Sequence, residues 1–299
     1  MLDAHGSFIE RWMIAWCTPE LMACILDKLP FLSLLSVAQT QKYGGHLVQT
    51  LLCLRFKALL RKFFGGDTDR AEAELRDTRS LVYGSGSLWI VTYPCGWFPN
   101  DLNILSPKST HQHFYNFVRH SQFETDGLRA GSPGVSTVTA FARDGKAVTI
   151  AQSVDEDCLP GILSSHMTSQ MIAVNPDGVI IFYPTLTLSS VYTSSVDTDG
   201  QRPADISTRL INCKYLPSGG VTGRCGMSCV KVDRRVHDLE GACCVSWALD
   251  KGGRSKLKAM AAACHYTYRL QDKCRRDSCL YEAEGEIVSL PSMRKCNTL

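Results

Sequence analysis

Hydrophobic residues recur at helical spacing near the start of the chain. Thr18–Glu20 is typical of a helix start, because threonine can cap the first turn, proline fits there and an acid suits the positive end of the helix dipole. The apolar positions that follow share one helical face, and they are Leu21, Ile25, Leu26 and Leu29. Pro30 cannot continue the helix, so we predict that it ends there.

Two more helices are predicted before residue 65. Ser33 can cap a short second helix, and Gly44-Gly45 is predicted to break the chain before a third. The glycines and polar residues at 65–68 indicate a hinge. The pattern therefore predicts a helical module over residues 15–64 and a second domain over residues 68–299.

From Leu81 onward the hydrophobic pattern changes to short runs separated by turns, which is typical of strands. The predicted strands are Leu81–Tyr83, Asp101–Leu105, Val135–Arg143, Ala147–Gln152, Met171–Val174 and Val179–Tyr183. Arg143–Lys146 and Asn175–Gly178 each contain Asp-Gly and predict hairpins. With helices expected near residues 110–120 and 255–270, the fold class is α+β with a mixed sheet.

Composition and charge exclude few functions. Apolar residues make up 44% and charged residues 20%, and the formal net charge of +3 is too small to indicate a nucleic-acid or membrane-surface partner. No apolar run approaches the ~20 residues of a membrane-spanning helix. Because Met1–Gly6 carries an acid where a signal peptide is basic, we expect a cytoplasmic or nuclear protein.

The most informative chemistry lies between Leu81 and Asn103. A predicted strand leads to Gly86-Ser87 at the start of a helix, where free backbone N–H groups can approach a phosphate. Asp101 and Asn103 are two residues apart on the next strand and should share a face. Two acids placed in this way can hold Mg²⁺ ions on a triphosphate, but Asn103 supplies only an uncharged amide.

This pattern resembles the nucleotidyltransferase superfamily, in which a Gly-Ser pair is followed by Asp-x-Asp or Asp-x-Glu. Gly86, Ser87 and Asp101 match that motif, and Asn103 replaces its second carboxylate. The best match to the strand of the third carboxylate, Ala147–Gln152, contains no acid. The resemblance implies a transferase-like fold with a degenerate site and no expected cofactor. The alternative is an active or nucleotide-binding enzyme that uses Mg²⁺.

Downstream segments extend the likeness. Together with the Trp97–Asn103 stretch, the segments Ser165–Met171, Phe182–Thr187 and Cys225–Cys229 closely resemble a set of uncharacterised fungal proteins. This resemblance covers about residues 81–249. It implies a fold rather than a reaction, because one fold can host many functions.

The helical module resembles an F-box motif, which that fungal set often carries before its Gly-Ser domain. The resemblance rests on Thr18–Pro30, Leu34-Leu35 and Leu47–Leu51 followed by Arg55. It implies that a Skp-type adaptor of a cullin ubiquitin ligase binds the first helix, while the second domain selects a substrate. The implied contact residues are Pro19, Leu21, Ile25, Leu26 and Leu29. The alternative is that these leucines only pack the helices against the second domain.

Fourteen cysteines are present, and nine of them lie from Cys213 onward. Weak candidates for a tetrahedral zinc site are Cys225, Cys229, Cys243 and His265. Reduced thiols buried in a Cys-rich segment explain the same residues, and no metal is expected. The sequence therefore predicts a non-enzymatic interaction protein without a nucleic-acid or membrane partner.

Overall fold

The structure is a computed structural model, and it describes residues 18–40, 42–131, 133–165, 167–192, 216–217, 234–239, 241–247, 256–264, 266–268 and 294–295. Its helices are α1 (Pro19–Asp27), α2 (Phe31–Thr40), α3 (Lys42–Phe64), α4 (Thr68–Asp77), α5 (Ser85–Thr92), α6 (His111–His120), α7 (Leu159–Leu163), α8 (Pro184–Leu188) and α9 (Lys256–Ala262). Short 3₁₀ helices occupy Gly65–Asp67 and Thr168–Gln170. Within the described residues, no helix is both long and apolar enough to cross a bilayer.

The strands form one large mixed sheet and two small ones. They are β1 (Leu81–Tyr83), β2 (Asp101–Ser106), β3 (Glu124–Ala130), β4 (Val135–Arg143), β5 (Lys146–Ser153), β6 (Ile172–Asn175), β7 (Gly178–Ile181), β8 (Val191–Tyr192), β9 (Leu216–Pro217), β10 (Arg234–Arg235), β11 (Cys243–Ser246), β12 (Tyr266–Tyr268) and β13 (Arg294–Lys295). The large sheet has the order β11-β7-β6-β1-β2-β5-β4-β3. Among the described strands of this sheet, β2 and β5 are the one pair that runs parallel. A helical N-terminal region followed by a mixed sheet is the coarse architecture that the sequence predicts.

Both predicted hairpins are present, and their turn residues explain why. Asp144 and Gly145 have φ values of +51° and +71° between β4 and β5, and Asp-Gly is one of the pairs that tolerate such values best. Between β6 and β7, the Asn175 side-chain oxygen accepts hydrogen bonds from the backbone N–H groups of Asp177 at 2.9 Å and Gly178 at 3.0 Å.

The predicted break at Gly44-Gly45 is wrong. Both glycines lie inside α3, which runs unbroken over 23 residues. A Cβ at position 44 would lie only 2.7 Å from the Val37 carbonyl oxygen, so Gly44 permits the close approach of α2 and α3. Phe31, which is buried, begins α2 instead of Ser33. Glycine here serves helix packing and does not end the helix.

Helix α3 connects the helical region to the sheet. A single cluster of buried side chains includes Leu26 of α1, Leu59 and Phe63 of α3, and Leu102 and Val148 of the sheet. The hinge predicted at residues 65–68 coincides with the 3₁₀ helix and the start of α4, and the buried cluster is continuous across it. The described helices therefore pack on the sheet through a shared core.

The other face of the sheet carries a second buried cluster. Leu105 of β2 and Ile180 of β7 pack there with α7 and with Leu257 of α9. The final predicted helix is shorter than expected, because α9 ends at Ala262 and Tyr268 lies on β12. The sequence Tyr-Thr-Tyr favours a strand there, since aromatic and β-branched residues pack well on a sheet.

Candidate functional site

The β1–α5–β2 unit holds the residues that the sequence singles out. Gly84 is the N-cap of α5 and has φ +68°, a left-handed conformation that glycine adopts without strain. Antiparallel pairing of β1 and β2 sets Tyr83 opposite Asn103. The start of α5 and the start of β2 therefore lie side by side, as the strand–turn–helix–strand prediction requires.

Gly86 and Ser87 lie inside the first helical turn of α5 and not in the loop that joins β1 to α5. A Cβ on Gly86 would lie 3.3 Å from side-chain atoms of both Leu59 and Leu102, so this glycine permits close packing of α5. Ser87 is fully buried, and its hydroxyl donates a hydrogen bond to the Val82 carbonyl oxygen at 2.7 Å. The residues at the turn are Gly84 and Ser85, one Gly-Ser repeat earlier than the pair chosen from the sequence.

Asp101 and Asn103 share a face of β2, as predicted, and they contact each other. The Asn103 amide nitrogen donates to Asp101 Oδ2 at 2.8 Å. The Ser85 hydroxyl lies 3.1 Å from Asp101 Oδ1, to which it donates, and 3.3 Å from the Asp101 carbonyl oxygen. Both carboxylate oxygens therefore accept hydrogen bonds from the protein. Ser85, Asp101 and Asn103 are called the Asp101 cluster below.

The strand beside this cluster is the one that the sequence predicts. β5 runs parallel to β2 and pairs Ala147 with Asp101 and Thr149 with Asn103. Residues that are paired on neighbouring strands lie on the same face of the sheet. The Thr149 hydroxyl and the Ala147 methyl group therefore occupy the positions where a metal site would need a further acid. The acids that follow β5 are engaged elsewhere, because Asp155 accepts a hydrogen bond from the Tyr266 hydroxyl and Asp157 accepts one from the Leu159 backbone N–H.

Tyr83 borders the Asp101 cluster from β1. Burial and the nearby charge of Asp101 raise the pKa of the Tyr83 phenol to about 12. Ionisation of this phenol would place a second negative charge beside the carboxylate in a poorly solvated position. Tyr83 therefore stays neutral at physiological pH and adds no charge to the site.

Lys62 of α3 fixes the turn that precedes Asp101. Its ammonium group donates a hydrogen bond to the Pro99 carbonyl oxygen at 2.9 Å and lies 4.2 Å from the centre of the Phe98 ring. Burial lowers the pKa of this lysine, and Lys146 adds to the effect by repulsion. The sequence offered no signal for this role, because Lys62 is 37 residues from Pro99 along the chain.

A pair of magnesium ions does not fit the described face. Mg²⁺ prefers carboxylate oxygens and bridging waters in octahedral geometry, and two-metal chemistry needs several acids around both ions. Here one carboxylate is present, and its neighbours at the matching positions are Asn103, Ala147 and Thr149. Among the described residues, no group of three or more His, Cys, Asp or Glu side chains is arranged to hold a metal ion.

The residues predicted to contact a partner lie on α1 or just after it, and they differ in exposure. Leu21 and Ile25 are 50% and 43% exposed, whereas Leu26 is buried in the core. Leu29 is half-buried against the same core. Pro19 begins α1, and its side chain lies outside the described residues. The exposed large apolar side chains of α1 are therefore Leu21 and Ile25, one helical turn apart, with the exposed Cys24 beside them.

The cysteine candidates are only partly described. Cys225, Cys229 and His265 lie outside the described residues. Cys243 is half-buried on β11, opposite Ile181 of β7, and burial raises the pKa of its thiol. Half-burial against a neighbouring strand is typical of a packed thiol.

Comparison of this chain with protein-family models, with curated proteins and with solved structures found no match.

Proposed function

We propose that this chain is a non-enzymatic interaction protein, an F-box-type adaptor that binds a Skp-type subunit of a cullin ubiquitin ligase through α1. The sheet domain, transferase-like in its motif but without transfer chemistry, would hold the substrate for ubiquitination. The observation that carries this proposal is the exposed apolar pair Leu21 and Ile25 on a helix whose other apolar face is buried.

The division of α1 into two apolar faces supports docking. Met22 and Leu26 anchor the helix in the core, while Leu21 and Ile25 are spaced by four residues and face outward together. If α1 only packed against the second domain, apolar residues would be needed on its buried side and not at Leu21 and Ile25. An outer apolar ridge of this kind suits insertion into the groove of a helical partner.

Contacts between α1 and the rest of the molecule support a fixed geometry. The Arg55 guanidinium of α3 donates to the Asp27 carbonyl oxygen at 3.2 Å and lies 4.4 Å from the centre of the Tyr93 ring. The Tyr93 hydroxyl in turn donates to the Asp27 carboxylate at 3.1 Å. These contacts tie the end of α1 to α3 and to the residues after α5. A partner bound to α1 would thus be held at a constant position relative to the sheet.

The test is co-purification of the full chain with a purified Skp-type adaptor. Leu21→Asp and Ile25→Asp are each expected to lower binding at least ~10-fold, because each places a charge in an apolar contact. Leu128→Asp is the matched control, since Leu128 is 72% exposed on β3, in the sheet. We expect the control to bind the adaptor at the wild-type level. The two α1 variants should be folded but should bind it much more weakly.

Two outcomes would overturn the proposal. One is the absence of any binding by the wild-type protein at micromolar concentrations of both partners. The other is equal loss of binding in Leu128→Asp and the α1 variants, which would indicate a general effect of added charge. The far-ultraviolet circular dichroism of each variant separates loss of binding from loss of fold.

A further inference from the structure

We infer that Asp101 is a structural anion whose charge is compensated by the protein itself, through the Ser85 hydroxyl, the Asn103 amide and the N-terminus of α5. This inference is independent of the proposed binding by α1. The Asp101 cluster then stabilises the fold, with the Asn103 amide as a hydrogen-bond donor.

Two side-chain hydrogen bonds stabilise the Asp101 carboxylate. Oδ1 accepts from the Ser85 hydroxyl at 3.1 Å, and Oδ2 accepts from the Asn103 amide at 2.8 Å. Hydrogen bonds to a charged acceptor are stronger than those between neutral groups. Each oxygen of the Asp101 carboxylate therefore has a side-chain donor within the protein.

The N-terminus of α5 adds a second source of compensation. Ser85 is the first residue of α5, and its hydroxyl contacts Asp101, so the carboxylate lies beside the positive end of this eight-residue helix. In this position Asp101 provides the negative charge that a bound anion could otherwise supply. The Asp101 carboxylate thus interacts favourably both with the helix dipole of α5 and with the Asn103 amide.

Packing at Gly84 fixes the amide in place. A Cβ on Gly84 would lie 3.3 Å from the Asn103 side-chain nitrogen, so the glycine leaves room for this amide to point at Asp101. On the other side, β5 sets the neutral Thr149 beside Asn103. No charged residue of the paired positions on β1 or β5 is therefore available to compensate an additional negative charge at position 103.

Replacement of Asn103 by aspartate tests the inference. The variant would bring two carboxylates together in place of a donor and an acceptor, and their repulsion is relieved only by a proton or a cation. In EDTA we expect Asn103→Asp to melt about 3–8 °C below wild type. With about 1 mM Mn²⁺ it should regain most of that loss, because binding to the folded state alone raises the melting temperature. Wild type should not respond to Mn²⁺.

Two further variants serve as controls. Asn103→Ala removes the donor without adding a ligand, and it should be destabilised in EDTA with no recovery in Mn²⁺. The exchange variant Asp101→Asn/Asn103→Asp retains one acid and one amide, so it should stay folded and insensitive to Mn²⁺. If Asn103→Asp folds only when Mn²⁺ is present, the inference is supported in its strongest form.

Three different results would contradict a structural role for Asp101. A rise in the melting temperature of wild type with Mn²⁺ that disappears in Asp101→Asn would show that Asp101 is a metal ligand in the native protein. Equal stability of Asn103→Asp and wild type in EDTA would show that the amide contributes nothing. If Asn103→Asp is unfolded in both conditions, Mn²⁺ sensitivity of the exchange variant would equally overturn the inference.

Discussion

Replacing Leu59 with alanine is expected to lower the free energy of unfolding by about 3–5 kcal/mol, because it removes a fully buried side chain from the centre of the shared core. Leu59 lies on α3 and packs beside Gly86, where α5 approaches the helix. The cavity would therefore lie where α3 meets α5, in the cluster that also contains the sheet residue Leu102. Helical and sheet signals should be lost in a single transition at a lower urea concentration.

The matched control is Leu54→Ala on the same helix. Leu54 is 56% exposed, so its replacement is expected to change stability by less than about 0.5 kcal/mol. Urea unfolding followed by circular dichroism and by tryptophan fluorescence provides the measurement. Two separated transitions in Leu59→Ala would contradict a common core and favour a helical module that folds alone.

Replacing Arg143 with methionine is expected to cost roughly 2–4 kcal/mol, because the guanidinium donates hydrogen bonds at the ends of two helices. It donates to the Phe63 carbonyl oxygen at 2.9 Å, near the end of α3, and to the carbonyl oxygen of Ser121, which follows α6. It also lies 4.4 Å from the centre of the Phe123 ring. A positive charge at helix C-termini is favourable, and one arginine joins both helices to the β4–β5 hairpin.

Two variants distinguish the geometry of this contact from its charge. Arg143→Lys keeps the charge without the planar set of donors, so it should recover only part of the loss. Arg129→Met on β3 removes an exposed arginine and should leave stability nearly unchanged. Equal stability of Arg143→Met and Arg129→Met in urea would refute the bridging role of Arg143.

The sequence predicts those elements that have a clear local cause. The Asp144-Gly145 turn determines one hairpin, and the Asn175 side chain stabilises the turn of the other. In β2 the buried Leu102 and Ile104 alternate with half-buried polar residues, as the hydrophobic pattern predicts. Strand β3 was not predicted, because the sequence Glu-Thr-Asp-Gly-Leu-Arg-Ala has no alternating apolar face. That strand lies at the edge of the sheet with nearly all its residues exposed, so its structure comes from pairing with β4.

Some features of the helices also depend on contacts in space that the sequence pattern does not reveal. Glycine pairs usually indicate a break, but Gly44 is retained for its close approach to Val37 of α2. That contact joins two helices in space, and no local pattern encodes it. The separation of Leu26 from Leu21 and Ile25 likewise depends on the position of α3, which decides which side of α1 is buried.

The candidate site could be predicted in part. The spacing of Asp101 and Asn103 places them on one face, and the parallel neighbour β5 is the strand over Ala147–Gln152 in which the sequence shows no acid. The choice between the two Gly-Ser repeats could not be made, because only the positive φ of Gly84 identifies the turn. The Ser85–Asp101 hydrogen bond was missed for that reason.

Hydrogen–deuterium exchange on the complex with a Skp-type adaptor tests the central claim most directly. Binding through the outer face of α1 predicts slower amide exchange over residues 19–29 when the adaptor is added, with β3 and β4 unchanged. This protection should disappear in Ile25→Asp at the same protein concentrations. Protection confined to the edge of the sheet, or no change at all in the wild-type protein under saturating adaptor, would contradict it.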